Sequence, residues 1–253
     1  MDDLQWTPAG EHVVSALHDD VAVVRIDRPE ALNALAPAML GDLAEALRAA
    51  GRAASGVVLT GTGRAFSAGD DLVATADLDR AGFLALIEGF QDLTRAVLDI
   101  EGPVVAAVNG LAVGGAAELT LACDLRIGHP DAFWLFPENG LGLTVSNAST
   151  LLLPRAVGGR ALGLLLDGAR IPADEALRIG LVDQLVDDPL ATALDRVASW
   201  VGPGRATRWH VDLLRPDRDA VEAAMAREVA AAAAVHDAGI ATTGAERFRR
   251  DHA

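Results

Sequence analysis

The sequence contains no lysine and no tyrosine. Without lysine, Schiff-base chemistry and a Gly-Lys-Ser/Thr phosphate loop are excluded, and without tyrosine so is a catalytic phenol. Cysteine occurs once, at Cys123, so an intramolecular disulfide and a cysteine-rich zinc or iron–sulfur centre are excluded as well. The six histidines are scattered with no ligand spacing, and no metal site is expected. Long apolar runs are missing too. The best stretch, around Leu141 to Leu166, is broken by Ser, Asn, Pro and Arg, so no membrane span is expected. The opening MDDLQWTPAG has neither the basic nor the apolar region of a signal peptide, and the expected location is cytoplasmic. Positive charge is scarce: 21 basic residues, all arginine, face 36 acidic ones, a formal net charge of −15. Such a field repels nucleic acid and anionic lipid, leaving an anionic small ligand only where arginines gather.

What is present is a substantial core. Of the 253 residues 51% are hydrophobic, enough for one large α/β domain. The β-branched runs 12–17 and 21–26, separated by Asp19-Asp20, predict a hairpin. Apolar spacing predicts helices over 37–50 and about 81–100, with a buried strand at 57–60 between them. A strand at 103–108, a helix at 115–122 and a strand at 124–128 follow. Short helices are expected near 149–156, 159–166 and 172–178, with a brief extension at Leu181-Val182-Asp183. From about 190 onward the pattern is helical. We divide the chain into a core over 1–190 and a C-terminal helical region over 191–253 that belongs to the same domain.

Two glycine-containing turns follow buried strands: Ala65 to Leu72, and Asn109 to Glu118, the latter running straight into a helix. Unpaired N–H groups at a helix N-terminus suit an oxyanion or phosphate. Other glycine motifs fail. Gly61-Thr62-Gly63 begins a dinucleotide fingerprint, but its third glycine is Phe66, and no Gly-x-Ser-x-Gly elbow occurs. Glu118 and Glu138 both stand among apolar neighbours. Each alone reads as a helix-terminus or turn acid; together, near an oxyanion-stabilising turn, they suggest paired acid/base work.

Phe66-Ser67-Ala68-Gly69-Asp70-Asp71-Leu72, with Ala107 to Leu119 and Cys123-Asp124-Leu125-Arg126, closely resembles the enoyl-CoA hydratase/isomerase (crotonase) family. Supporting stretches are Arg28 to Leu35, Pro137-Glu138 before Gly140 to Leu143, Arg155 to Gly158, and Ala173 to Val182. The resemblance implies a crotonase-like ββα spiral whose C-terminal helices trimerise. It also implies that the backbone N–H groups of Asp70 and Gly115 form an oxyanion hole for a thioester carbonyl. Glu118 and Glu138 fall at the two catalytic glutamates of the hydratases. Arg28, Ala31, Ala68, Gly69, Asp70, Asp71, Leu72, Gly114 and Gly115 fall where the family binds CoA and substrate, Arg28 near the phosphates.

The chain departs from the pattern at Thr144 to Ser149, where many hydratases carry a Pro/Gly-rich segment. Its Ser and Asn residues could cap the next helix. Asp70 carries a carboxylate where a small apolar residue is commoner, which either favours a polar acyl group or points to solvent. The expected activity is reversible syn hydration of a 2-enoyl-CoA to a 3-hydroxyacyl-CoA, a lyase reaction of fatty acid metabolism needing no metal or redox cofactor. An isomerase or another enolate-forming reaction in the same site is the alternative. A non-catalytic acyl-CoA binder is the alternative of a different class. Apolar residues beyond Ala191 (Val197, Trp200, Leu213, Leu214, Val221, Met225 among them) need burial, and the resemblance implies that they find it in a homotrimer or a dimer of trimers (homohexamer), with Phe248 and Arg249 as candidates for contacts with a neighbour's ligand.

Overall fold

The computed structural model describes residues 4–241 and 243. β1 (Thr7–Gly10), β2 (Val13–His18) and β3 (Val21–Ile26) form an antiparallel meander, and the Asp19-Asp20 turn closes its second hairpin. Helix α1 (Pro37–Ala53) starts at a proline, where the missing N–H costs nothing, and turns Met39, Leu40, Leu43 and Leu47 inward. The chain then repeats one unit three times: a strand in a large sheet, a three-residue strand in a small sheet, and a helix. The first unit is β4 (Gly56–Gly61), β5 (Ala65–Ser67) and α2 (Arg80–Leu98). The second is β6 (Val104–Val108), β7 (Leu111–Val113) and α3 (Gly115–Ala122). The third is β8 (Leu125–Gly128), β9 (Phe133–Leu135) and the single-turn α4 (Glu138–Leu141). This is the ββα spiral that the resemblance implied.

Short elements close the spiral: α5 (Ser149–Val157), α6 (Ala161–Asp167), β10 (Ile171–Pro172), α7 (Ala173–Ile179) and β11 (Gln184–Leu185). Three helices follow, α8 (Pro189–Trp200), α9 (Thr207–Leu214) and α10 (Arg218–Asp237). Asp188 and Asp217 cap the first and last of these by accepting from Ala191 N–H and Ala220 N–H. The large sheet has the order β1-β2-β3-β4-β6-β8-β11 and is parallel from β3 onward; the small one has the order β10-β9-β7-β5.

The central strands are buried on both faces, which is why they read as unbroken apolar runs. Val21, Val23, Val58, Val105 and Ile127 pack on Ala193, Leu194 and Val197 of α8. Their alternates, among them Val24, Val57, Leu59, Ala106 and Val108, pack in the main core with α1 and α2. The strand expected at Leu181–Asp183 lies at Gln184–Leu185 instead. Leu181 and Val182 are drawn fully into the core, and the strand pairing with β8 begins after them, at Gln184 and Leu185.

The C-terminal apolar residues divide. Val197, Val221 and Met225 fill this chain's own core, whereas Trp209, Leu213 and Leu214 on α9 are 61%, 76% and 74% exposed. Among the described residues no helix is long and apolar enough to cross a membrane.

Candidate active site

Because β5, β7 and β9 are adjacent and parallel, the segments that follow them emerge on one side of the small sheet. Asp70 follows β5, Gly115 and Glu118 follow β7, and Glu138 follows β9. Successive turns of the spiral thus deliver three functional segments to one place. A cavity of about 970 Å³ opens there. Arg28, Ala31, Ala68, Asp70, Asp71 and Leu72 line it together with Gly114, Gly115, Glu118 and Glu138. Gly69 is the exception among the expected residues: it is buried behind Asp70 rather than on the wall.

Gly69 sets the backbone at Asp70. Its φ of +80° is the left-handed conformation that glycine adopts freely, and a β-carbon on it would stand 3.5 Å from the Gly115 nitrogen. Leu35 N–H donates to Gly69 O at 2.7 Å and Asp71 N–H to Leu35 O at 3.1 Å. That pairing turns the intervening Asp70 N–H to the other side. Gly115 is the first residue of α3, so its N–H has no partner within the helix. Neither N–H finds an acceptor among the described residues. Two free donors thus lie close together at the positive end of a helix, the geometry that stabilises an oxyanion.

Glu118 is 1% exposed and Glu138 8% exposed, so neither is a surface turn acid. Burial pushes Glu118 well above its ordinary value, and the nearby Glu138 carboxyl pushes it further; hydrogen bonds from Ser146 pull the other way. Burial likewise raises Glu138 to about 7. The two carboxyls lie close enough for the charge of Glu138 to disfavour ionisation of Glu118. Glu138 Oε1 also packs close to Gly114, 3.3 Å from the position a β-carbon there would take.

Arg28 lines the cavity, but its charge is already engaged. It donates to Asp71 Oδ2 at 2.7 Å and to Ala34 O at 3.2 Å. Burial would raise the Asp71 carboxyl, yet Arg28 and the N–H groups of Ala74 and Val73 outweigh it and hold it below the ordinary range. The Asp70 side chain does not point to solvent. It is largely buried, accepts from Thr75 Oγ1 at 3.3 Å, leaves Oδ1 unpartnered, and is raised to about 6, chiefly by burial.

The expectation that Ser and Asn in 144–149 cap the next helix is wrong. The residue at the cap of α5 is Ala148, and no side chain of the segment caps it. Ser146 donates both its N–H and its hydroxyl to Glu118 Oε2, each at 2.9 Å, and Asn147 Nδ2 donates to the same oxygen at 3.2 Å. The N–H groups of Ala148 and Thr150 go instead to Glu228 of α10, at 2.9 and 2.8 Å. Sequence reasoning missed Ser146, Asn147 and Glu228 as site-building residues. A signal for Glu228 existed: it falls on the stripe Val221, Ala224, Met225, Ala232, where an apolar residue belongs. Phe248 and Arg249 lie outside the described residues.

A family model described as Enoyl-CoA hydratase/isomerase matches residues 17–241. A probable enoyl-CoA hydratase of Rhodobacter capsulatus is 40% identical over 173 residues, covering 68% of this chain and 67% of the relative. A crotonyl-CoA hydratase of Syntrophomonas wolfei is 38% identical over 182 residues, covering 70% of each. Among solved structures, an enoyl-CoA hydratase from Mycobacterium avium subsp. paratuberculosis superposes with a TM-score of 0.82 at 28% identity, over 96% of this chain and 97% of that one. An enoyl-CoA hydratase/isomerase from Xanthobacter autotrophicus gives 0.82 at 31% identity, over 96% and 94%.

Proposed function

The chain belongs to the enoyl-CoA hydratase/isomerase family, and on that premise we propose that it is an enoyl-CoA hydratase, adding water reversibly to a 2-enoyl-CoA thioester to give the 3-hydroxyacyl-CoA. One observation carries this reading: two buried carboxyls, both held above their ordinary range, face the same cavity as two unpaired backbone N–H groups. Hydration needs each of these parts. The ionised carboxyl takes a proton from water as its oxygen bonds to Cβ; the protonated one gives its proton to Cα. The pair ends with the same one proton, moved to the other partner, and one water has been added. Between the two events negative charge rests on the thioester oxygen, which the N–H groups of Asp70 and Gly115 receive. The balance calls for no metal and no redox group.

Phe83, Leu86, Ile87 and Phe90 of α2, with Leu143 and Leu166, make the cavity wall mostly hydrocarbon, which suits an aliphatic acyl chain. Assembly as a trimer or a dimer of trimers is part of the same proposal, supported by the exposed apolar face of α9. The test is turnover of a panel of 2-enoyl-CoAs, followed by loss of the conjugated-thioester absorbance. Hydration of at least one member is expected. Double-bond migration without hydration would replace this reading with the isomerase one, and binding without turnover would leave an acyl-CoA binder.

A further inference from the structure

We propose that Ser146 and Asn147 are positioning residues for Glu118, fixing which oxygen of its carboxyl faces the substrate, and that Glu228 anchors them from outside the cavity; the inference rests on the hydratase reading. All three donors of this clamp converge on Oε2 of Glu118. A carboxyl oxygen already accepting three hydrogen bonds has no lone pair left to accept from water, so Oε1 is the oxygen free to meet a reactant. Asn147 does more than hold Glu118. Its Nδ2 also donates to Gly115 O at 3.1 Å, and its Oδ1 accepts from Thr94 Oγ1 of α2 at 3.0 Å. One amide therefore ties the glutamate, the peptide beside the oxyanion donor and the wall helix to one another. Ser146 is 5% exposed and Asn147 fully buried, so little water reaches these bonds.

The clamp is held against strain. Asn147 and Ala148 are consecutive residues with φ of 58° and 56°, and alanine has no side-chain bond with which to offset the left-handed conformation. Such strain persists only where the surroundings over-determine it. Glu228 does so by accepting from Ala148 N–H, Thr150 N–H and Thr150 Oγ1 at 2.9, 2.8 and 2.7 Å. Glu228 is 2% exposed and does not line the cavity, so it reaches the chemistry through the loop it holds and, as the smallest of several causes, through its charge, which raises the Glu118 carboxyl.

The test compares Ser146→Ala, Ser146→Thr, Asn147→Ala and Glu228→Gln with the parent chain. A hydrogen bond to a charged group is worth roughly a factor of ten or more, so Ser146→Ala and Asn147→Ala should each lower kcat about 10-fold with KM changed less than about 3-fold. Ser146→Thr, which keeps both donors, should restore most of the rate. Glu228→Gln should lower kcat a few-fold at unchanged KM. Circular dichroism confirms that each variant is folded, and infrared difference spectra against Glu118→Gln read the Glu118 carboxyl band directly. A shift of that band in Ser146→Ala supports the clamp whether or not turnover is seen. A parent chain that hydrates no enoyl-CoA overturns the hydratase reading alone. An active parent whose folded Ser146→Ala variant keeps full kcat and an unshifted band overturns the clamp alone.

Discussion

A β-carbon on Gly69 would stand 2.3 Å from the carbonyl oxygen of Val113. The two residues belong to successive turns of the spiral, and their contact brings the Asp70 and Gly115 donors together. Gly69→Ala must either push β7 away or twist residue 69 out of its left-handed conformation, and both displace the Asp70 N–H. Losing one oxyanion donor costs on the order of 10²–10³ in rate. We expect kcat to fall by at least about 10²-fold, with a lowered melting temperature. Calorimetry alongside steady-state kinetics checks both.

Glu118→Gln and Glu138→Gln keep shape while removing proton transfer. Each should cut kcat by at least about 10²-fold with little change in CoA affinity. Full hydration by Glu138→Gln, with Glu118→Gln inactive, would favour a one-base isomerase.

The same substitution should stabilise the fold at alkaline pH. Glu138 has a folded pKa of about 7 against 4.5 for the unconstrained carboxyl. Its contribution to stability is therefore greatest below pH 4.5 and is lost as pH rises through about 7. Above that window the buried anion costs on the order of 3 kcal/mol that a glutamine does not incur. Denaturant titrations should find Glu138→Gln more stable than the parent at pH 8, the gap closing toward pH 5.

Arg28 and Asp71 predict an asymmetric effect on CoA. At the proposed CoA site, their ion pair offsets the positive charge offered to the phosphates. Arg28→Ala removes the cation and leaves Asp71 facing the ligand, so binding weakens. Asp71→Asn keeps an oxygen for the Val73 and Ala74 N–H groups, frees the Arg28 charge, and should tighten CoA binding a few-fold. Both effects should shrink with added salt. Calorimetry at two ionic strengths reads them.

The exposed face of α9 predicts the mass in solution. Light scattering should return at least three times the 26.2 kDa of one chain. Leu213→Asp should lower it. A fully active species of single-chain mass at micromolar concentration would remove the assembly claim.

Much of this architecture was legible in the sequence, and what was not has a common cause. The long elements declare themselves through periodicity: the 37–50 stripe became α1 and the 81–100 stripe α2. The small sheet did not, because Ala65–Ser67, Leu111–Val113 and Phe133–Leu135 are three residues long, too short to display a period of two. They read as parts of turns, although they aim every functional segment. Glu118 and Glu138 were found through motif and apolar context. The position of Ser146 before a helix points to capping rather than to Glu118, since a serine there usually serves that helix. Here Glu228, contributed by a distant helix, has taken the capping role, and Ser146 is left free to turn to Glu118.

The distance along the chain between Thr150 and Glu228, 78 residues, fixes an order of events during translation. A ribosome completes the loop that grips Glu118 first, and at roughly 5–20 residues per second the anchor follows about 4–16 s later. Until then the Ala148 and Thr150 amides have only water as acceptor, and nothing secures the left-handed pair. A nascent chain that already carries both glutamates and both oxyanion donors therefore still lacks its working geometry, which a residue remote from the substrate supplies afterwards.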